Sequence, residues 1–573
     1  MFKLLAYMKN YKKEAVLGPL FKLLEALLEL LVPLVIAAVI DTGIAGDNRG
    51  YVIRMCLLLV GLGIVGLVFS ITAQYFAAKA SVGFVTKLRH ALFDHIQGLS
   101  YTELDTIGTS TLITRMTSDM NQVQSGMNLT LRLLLRSPFV VFGAMIMAFT
   151  IDVKAALIFA AAIPVLSLVV FGIMLWCIPL YKRVQRKLDG VLSATRENLT
   201  GVRVIRAFCK EEEQISRFDD CNQDLTRTQK YVGRISALMN PVTYILINLA
   251  IIWLVYTGAL RVDAGLISQG AVVALYNYMS QILVELIKLA NLIINITKSV
   301  ACGNRIQSVF EIHSSLDAPE QAPAPKDFSY AVEFDHVTLR YANAGDDSLS
   351  DISFAARPGE TIGVIGSTGS GKSSLVNLIP RFYDASAGQV LVDGINVKEY
   401  PLDDLRSRIG VVPQKAVLFK GTIRDNLRWG NPDATDAQLL EAVQTAQAGE
   451  VLAQKGGLDF ELEQGGKNLS GGQKQRFTIA RALVKHPKIL ILDDSASALD
   501  FATDAALRKA IREMPGNPTV FIVSQRTSSL QHADQILVLE DGAVVGAGTH
   551  TQQLESCPVY QEIYQSQFRK EDA

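Results

Sequence analysis

Apolar residues are distributed along this chain in two ways, and the change from one to the other divides it. Through roughly the first 300 residues they form long runs, near Ala15–Ile40, Tyr51–Ala77, Leu133–Ile151, Ala155–Leu180, Pro241–Leu260 and Gly270–Ile296. About 20 mostly apolar residues in a helix cross a hydrocarbon core, so each run predicts one membrane-spanning helix, six in all. The connections at Asp41–Gly50, Asp152–Lys154 and Arg261–Gln269 are short, whereas Ser81–Arg132 and Tyr181–Asn240 are long and charged. Short and long connections therefore fall on opposite sides of the membrane. Beyond them, Asp317–Pro325 has closely spaced prolines and little to bury, which predicts an extended linker. Past the linker the apolar runs shorten to strand length, as in Ile362–Ile365, Ile489–Asp493 and Val520–Val523, and alternate with helical stretches. That pattern predicts an α/β core. The domains are therefore read as a membrane part over 1–313, a linker over 314–327 and an α/β part over 328–573.

Charge orients this plan. Lys3, Lys9, Lys12 and Lys13 precede the first run, and the long connections carry Lys87, Arg89, Lys182, Arg183, Arg186 and Lys187. By the positive-inside rule the N-terminus and both long connections lie in the cytoplasm, and an even number of spans returns the α/β part to that side. The expected location is the plasma membrane, with no cleavable signal, because the first run is too long for a signal core. Composition agrees with a membrane part: 49% of the 573 residues are hydrophobic and the mean hydropathy is +0.26. Lys+Arg and Asp+Glu are equal at 55 each, so no basic excess points to nucleic acid. Cys56, Cys177, Cys209, Cys221, Cys302 and Cys557 lie far apart, which supports neither a disulfide framework nor a zinc site.

The chemistry begins at Gly366-Ser367-Thr368-Gly369-Ser370-Gly371-Lys372-Ser373, which follows the apolar run Ile362–Ile365. Glycines at these spacings let backbone N–H groups surround phosphates at a helix start, while Lys372 supplies positive charge and Ser373 a hydroxyl for Mg²⁺. Asp493, ending an acidic strand, is the natural Mg²⁺-associated carboxylate. Leu469-Ser470-Gly471-Gly472-Gln473 lies shortly before that strand and opens a helix-like stretch.

With these motifs in this order, the chain resembles the ATP-binding cassette family. Gln414 after Val411-Val412-Pro413 matches the family's Q-loop, Tyr341 its adenine-stacking aromatic, and Ser497–Asp500 its D-loop. The resemblance implies ATP and Mg²⁺ as cofactors. ATP contacts would come from Tyr341, from 366–374 (Ser374 included) and, across a head-to-tail pair, from Ser470, Gly471, Gly472, Gln473 and Asp500 of the other cassette. Ser373, Gln414 and Asp493 would hold the metal. Six spans followed by one cassette resemble a half-transporter of the type IV exporter fold, with a helical insert in the cassette carrying the Ser470 motif. The same resemblance implies coupling helices at the tips of the long connections, near Tyr101–Asp105 and Leu199–Val204.

Two positions depart from the family pattern. Where the family usually has a Glu that polarises the attacking water, this chain has Asp494, one methylene shorter. A displacement of about 1 Å at a reacting group can cost ~10²-fold in rate. Where the family has a switch histidine, this chain has Gln525, which can donate a hydrogen bond but cannot carry imidazolium charge. The Ser470 motif is intact. This combination resembles the degenerate-site subunit of heterodimeric bacterial multidrug exporters, and implies a second half-transporter as partner, beside membrane lipid and a transported amphipathic molecule, lipid or peptide. An active homodimeric exporter and a nucleotide-gated regulator or channel remain the alternatives. Lys22, Glu25, Glu29, Glu285 and Lys288 lie within or beside the spans, where charges must face a cavity or each other; structural ion pairing and substrate contact both remain open.

Overall fold

The computed structural model describes residues 2–321, 328–342, 344–495 and 497–568. Residues 322–327, within the expected linker, lie outside them. Two compact units emerge: one comprises 1–97 and 110–312, the other 98–109 and 313–573.

Among the described residues the first unit holds six helices long and apolar enough to cross a membrane: α1 (Lys3–Ile44), α2 (Arg49–Gln97), and, after the short α3 (Tyr101–Ile107) of the second unit, α4 (Thr109–Ile151), α5 (Val153–Thr200), α7 (Glu211–Asp263) and α8 (Gln269–Phe310). A short helix α6 (Val202–Ala207) joins α5 to α7. Every long helix outruns its apolar stretch, since α2, α4, α5 and α7 absorb the charged connections. Pro19 and Pro33 sit inside α1 and Pro164 and Pro179 inside α5, a use of proline that membrane helices tolerate because neighbouring groups satisfy the freed carbonyls. With no hydrophobic drive between helices in lipid, small residues set the packing. A Cβ at Gly18 on α1 would lie 3.3 Å from the backbone nitrogen of Ala77 on α2, and Ala73, Ala77 and Ala80 are all fully buried there.

Charges inside this unit face each other. Arg136 on α4 is buried and donates to Glu285 on α8 and to Glu29 on α1, both at 2.6 Å. Glu285 also accepts from Ser137 and Lys288, each at 2.8 Å. Lys22 pairs with Glu25 at 2.5 Å and lies 3.3 Å from the Ser70 hydroxyl. The polar residues of the first and last spans are thus members of ion pairs, and Arg136 is the link that sequence spacing did not reveal.

The second unit is an α/β domain with, among the described residues, twelve strands: β1 (Val332–Leu339), β2 (Leu349–Ala356), β3 (Thr361–Gly366), β4 (Ala387–Val392), β5 (Ile395–Asn396), β6 (Ile409–Val412), β7 (Gly421–Thr422), β8 (Glu461–Leu462), β9 (Ile489–Asp493), β10 (Thr519–Val523), β11 (Gln535–Glu540) and β12 (Ala543–Gly548). One antiparallel sheet runs β2-β1-β4-β5, β7 pairs with β8 in a second, and the six-stranded sheet runs β12-β11-β3-β10-β9-β6. In the latter, β3, β6, β9, β10 and β11 are parallel. Each of β9 and β10 is buried along its whole length, as strands covered on both faces must be. Helices between β6 and β9 form the insert that carries the Ser470 motif.

Candidate nucleotide site

Parallel strands deliver their following loops to one edge, and the register here decides what meets there. Val523 pairs with both Val364 and Asp493, so β3, β10 and β9 release the phosphate-type loop, Gln525 and Asp494 side by side. Ligands of open α/β sheets bind beyond the carboxyl ends of the strands. A cavity of about 250 Å³ lies there, lined by Thr368, Gly369, Gly371, Lys372, Ser373, Ser374, Gln414, Asp493, Asp494, Ser524 and Gln525, with Ser348 and Val523.

The loop's shape depends on its glycines. Gly369 has φ of 88° with open space where a Cβ would stand, while a Cβ at Gly366 would lie 2.1 Å from the carbonyl oxygen of Leu539 on β11. Only a residue without a side chain fits both places. Lys372 opens the short helix α9 (Lys372–Leu378) and donates to the carbonyl oxygens of Gly366 at 3.0 Å and Ser367 at 2.5 Å. Burial pulls its pKa below the usual lysine range, against the pull of Asp494 and Asp493. Ser373 donates to Asp493 at 3.0 Å. Burial, together with the neighbouring charge of Asp494, holds the Asp493 carboxyl above its ordinary range despite that hydrogen bond. A hydroxyl and a carboxylate at this distance form an oxygen pair suited to a hard cation such as Mg²⁺. Lys372, with no acidic partner within salt-bridge reach among the described residues, suits phosphate oxygens.

Asp494 and Gln525 line the same cavity. Asp494 is held at φ 45°, a left-handed conformation that Asp adopts more readily than longer side chains, by its N–H donating to the Val523 carbonyl at 3.0 Å. Its carboxylate accepts from the Gln414 amide at 3.3 Å. Gln525 is exposed, and its side-chain amide has no hydrogen-bond partner among the described residues; its carbonyl accepts from Gln567 at 2.7 Å. Gln567 also accepts from the N–H and hydroxyl of Thr527, so a residue of the C-terminal helix Pro558–Phe568 secures the loop behind Gln525. Sequence reasoning missed Gln567, Ser348 and Ser524, none of which sits in a motif.

Other expected residues stand elsewhere. Tyr341 is outside the cavity lining: its hydroxyl donates to Ser374 at 2.9 Å, and its ring meets Tyr383 edge-on with centroids 5.0 Å apart. Tyr383 in turn donates to Asp105 of α3 at 2.6 Å, burial and that bond raising its pKa, and Tyr101 of α3 lies 4.8 Å from the Phe382 ring. A continuous path of contacts thus runs from Asp105 through Tyr383 and Tyr341 to Ser374, next to Ser373. Ser470, Gly471, Gly472 and Gln473 also lie outside the cavity lining. Ser470 caps the helix α10 (Gly471–Leu483), accepting from the Gln473 N–H while the Gln473 side chain accepts from the Ser470 N–H. Asp500 caps the helix Phe501–Arg512, and the hydrogen bonds from Thr503 lower its pKa. These residues therefore present one exposed motif and one capped turn outside their own chain's cavity.

Residues 16–286 match the family described as ABC transporter transmembrane region and residues 349–497 the family described as ABC transporter. The chain is 36% identical over 565 residues to an ABC transporter ATP-binding protein of Mycobacterium tuberculosis, covering 98% of this chain and 97% of that protein. It is 36% identical over 572 residues to the ABC transporter ATP-binding protein YfiB of Bacillus subtilis, covering 100% of this chain and 99% of that protein. Its fold matches that of a bacterial Atm1-family ABC exporter with ATP bound at a TM-score of 0.80 and 23% identity, over 98% of this chain and 99% of that one.

Proposed function

The chain belongs to the ATP-binding cassette transporter family, as a multi-pass half-transporter of the exporter type, and we propose that within it this chain is the subunit that binds ATP at a weakly hydrolytic site and lends its Ser470 motif to a different partner. The observation that carries the reading is the make-up of the cavity lining. The residues that would bind, Lys372, Ser373 and Asp493, are all present, while those that would hydrolyse are Asp494 and an unanchored Gln525 amide.

When bound, Mg²⁺ would supply charge neutralisation between phosphates, held by Ser373, Asp493 and Gln414. The chain's own residues do the rest. Lys372 and the N–H groups of 369–374 bind phosphate oxygens; Asp494 orients water from a carboxylate set back by one methylene; Gln525 offers a neutral donor where a charged one would stabilise more. Binding survives this arrangement better than turnover, because only the latter needs the last ångström of placement.

Two exposed apolar features support pairing with a second subunit. Leu199 and Phe208, each 72% exposed, flank α6 at the tip of the α5–α7 excursion. In the second unit a groove of about 360 Å³ is lined by residues including Phe382, Val411, Phe419 and Trp429. The groove also presents Arg406, Arg481 and Lys485, and an exposed apolar tip and a groove of mixed apolar and cationic lining are what a paired complex would use. The N-terminus and the cassette then lie in the cytoplasm, and the cargo is an amphipathic small molecule, a lipid or a peptide. The path from Asp105 to Ser374 would carry motion between nucleotide and coupling helix.

The test compares ATP hydrolysis by the chain alone with hydrolysis by the complex it forms in its native membrane. The chain alone should be far slower. In the complex Ser470→Arg should abolish most turnover and Asp494→Asn reduce it mildly. Equal specific activity of the chain alone, or the reverse order of the two substitutions, would replace this reading with an active homodimer.

A further inference from the structure

The geometry points to a binding site for the headgroup of an anionic membrane lipid, in the groove between α5 and α7 just below the inner edge of their apolar stretches. The inference rests on the proposed orientation, with these two helices extending into the cytoplasm.

The groove encloses about 550 Å³ and is lined by Arg183, Arg186 and Lys187 of α5 and Arg227, Thr228 and Tyr231 of α7, with Leu180 at its apolar end. Four of the lining side chains are cations and none is a carboxylate; among the described residues only Lys187 of the four pairs with an acid, Asp224. Arg183, Arg186 and Arg227 have no hydrogen-bond or ion-pair partner among the described residues, although each could donate from a planar fork. Guanidinium forks match phosphate oxygens bidentately, so three unspent forks around one space describe a phosphate receptor better than a merely solvated surface.

Position selects the source of the phosphate. The apolar run of α5 ends at Leu180, which is buried, and Arg183 to Lys187 follow roughly 5 to 11 Å along the helix at about 1.5 Å per residue. A headgroup layer is about 5–8 Å deep, so Arg183 stands within it and Arg186 and Lys187 just beneath, from where their long side chains reach a headgroup. On α7 the hydroxyl of Ser236 lies 3.5 Å from that of Tyr181, which marks the same level on the second helix and sets Tyr231 and Arg227 below it. Tyr231 is exposed and offers an aromatic face and a hydroxyl at the interface, where such amphipathic side chains settle. Acyl chains would lie along the exposed apolar surface above, on which Leu175 and Trp176 are found. A soluble anion has no use for that surface; a lipid does. Basic pockets between membrane helices on the cytoplasmic side suit anionic headgroups.

The experiment uses the full-length transporter, with the subunit it assembles with, in phosphatidylcholine nanodiscs doped with phosphatidylglycerol, and counts retained phosphatidylglycerol by native mass spectrometry. Arg183→Gln/Arg186→Gln/Arg227→Gln should retain it on the order of 100-fold more weakly. Lys182→Gln/Lys230→Gln, which removes exposed cations of the same helices outside the groove, should change little. Arg183→Lys/Arg186→Lys/Arg227→Lys should recover part of the retention at an unchanged unfolding temperature, which separates lost binding from lost folding. Undiminished retention in the Gln variant, or equal losses in the groove and control variants, would overturn the site. Displacement of the lipid by glycerol phosphate at equal concentration would overturn the assignment to lipid. The orientation is read separately: a membrane-impermeant maleimide should label the exposed Cys209 in inside-out vesicles and not in right-side-out ones. Failure of that labelling would sink the orientation, whereas failure of the mass measurement alone would sink the groove.

Discussion

Both units of this protein bury charge, and they settle it differently. In the membrane unit Arg136 divides its donors between Glu285 and Glu29, and Glu285 takes a further donor each from Ser137 and Lys288. The charges neutralise one another within the chain. In the cassette Lys372 meets only the carbonyl oxygens and hydroxyl of its own loop, while Asp493, with a neutral Ser373 donor, lies close enough to Asp494 to feel its charge. There a cation lacks an anion and two anions lack a cation, and a metal-bound nucleotide would supply both. A buried charge satisfied by its own chain reads as architecture; one satisfied only by dipoles reads as a place for a ligand.

The sharpest way to break this comparison is to unbalance the architectural cluster. Arg136→Met would leave Glu285 and Glu29 without their shared partner, and removing one member of a buried pair costs about 3–5 kcal/mol. The expected result is a collapse in folded yield, measured by size-exclusion chromatography of the solubilised protein. Arg136→Met/Glu285→Gln should restore much of it, because the second change removes the stranded charge. If the double variant were no better than the single one, the cluster would not be self-neutralising, and a substrate role for Glu285 would regain support.

Raising hydrolysis at the site proposed to be weak is the next largest expected effect. Asp494→Glu with Gln525→His should raise turnover at this site by up to ~10²-fold, equivalent to ~2.7 kcal/mol of barrier. Single-turnover hydrolysis in a complex whose partner site is disabled measures it. The left-handed backbone at Asp494 is less comfortable for Glu, so the gain should fall short of that ceiling. No gain at all would mean that the geometry around Asp494, rather than its length, limits the chemistry.

How much of this was legible in the sequence follows from what each feature requires. The six spans were readable because lipid demands long uninterrupted apolar runs, and the phosphate-type loop because close approach to a ligand demands glycines at fixed spacing. The helical extensions were only partly readable: in α7 between Glu211 and Ala237 the buried residues are few, among them Leu225 and Val232, too sparse to announce a period. Arg136 was hidden because its partners lie 107 and 149 residues away, and distance in sequence carries no trace of an ion pair. Tyr341 was assigned by its motif position, yet its contacts with Tyr383 and Ser374 turn on a tertiary neighbour that no motif encodes. Gln567 was invisible for the same reason, since it acts on the loop of Gln525 from a helix past the last strand.

The smallest expected effect tests the unsatisfied charge directly. Burial raises the Asp493 pKa above the ordinary 3.8, and Asp494 adds to the rise. For an acid, a raised folded-state value means the folded protein prefers the proton more than the unfolded chain does. The associated stability is fully present below about 3.8 and lost as pH climbs through the higher folded value. At neutral pH the charged Asp493 is therefore a penalty in the nucleotide-free cassette. Asp493→Asn should raise its Tm by a few degrees, given about 2–4 °C per kcal/mol for a domain this size, and the advantage should shrink as pH falls toward 4. Magnesium nucleotide should reverse the ranking, since it stabilises the carboxylate and offers less to the amide. A variant less stable than the parent at every pH, with and without nucleotide, would show that Asp493 is settled by its own chain after all, and that the contrast between the two units does not mark the ligand site.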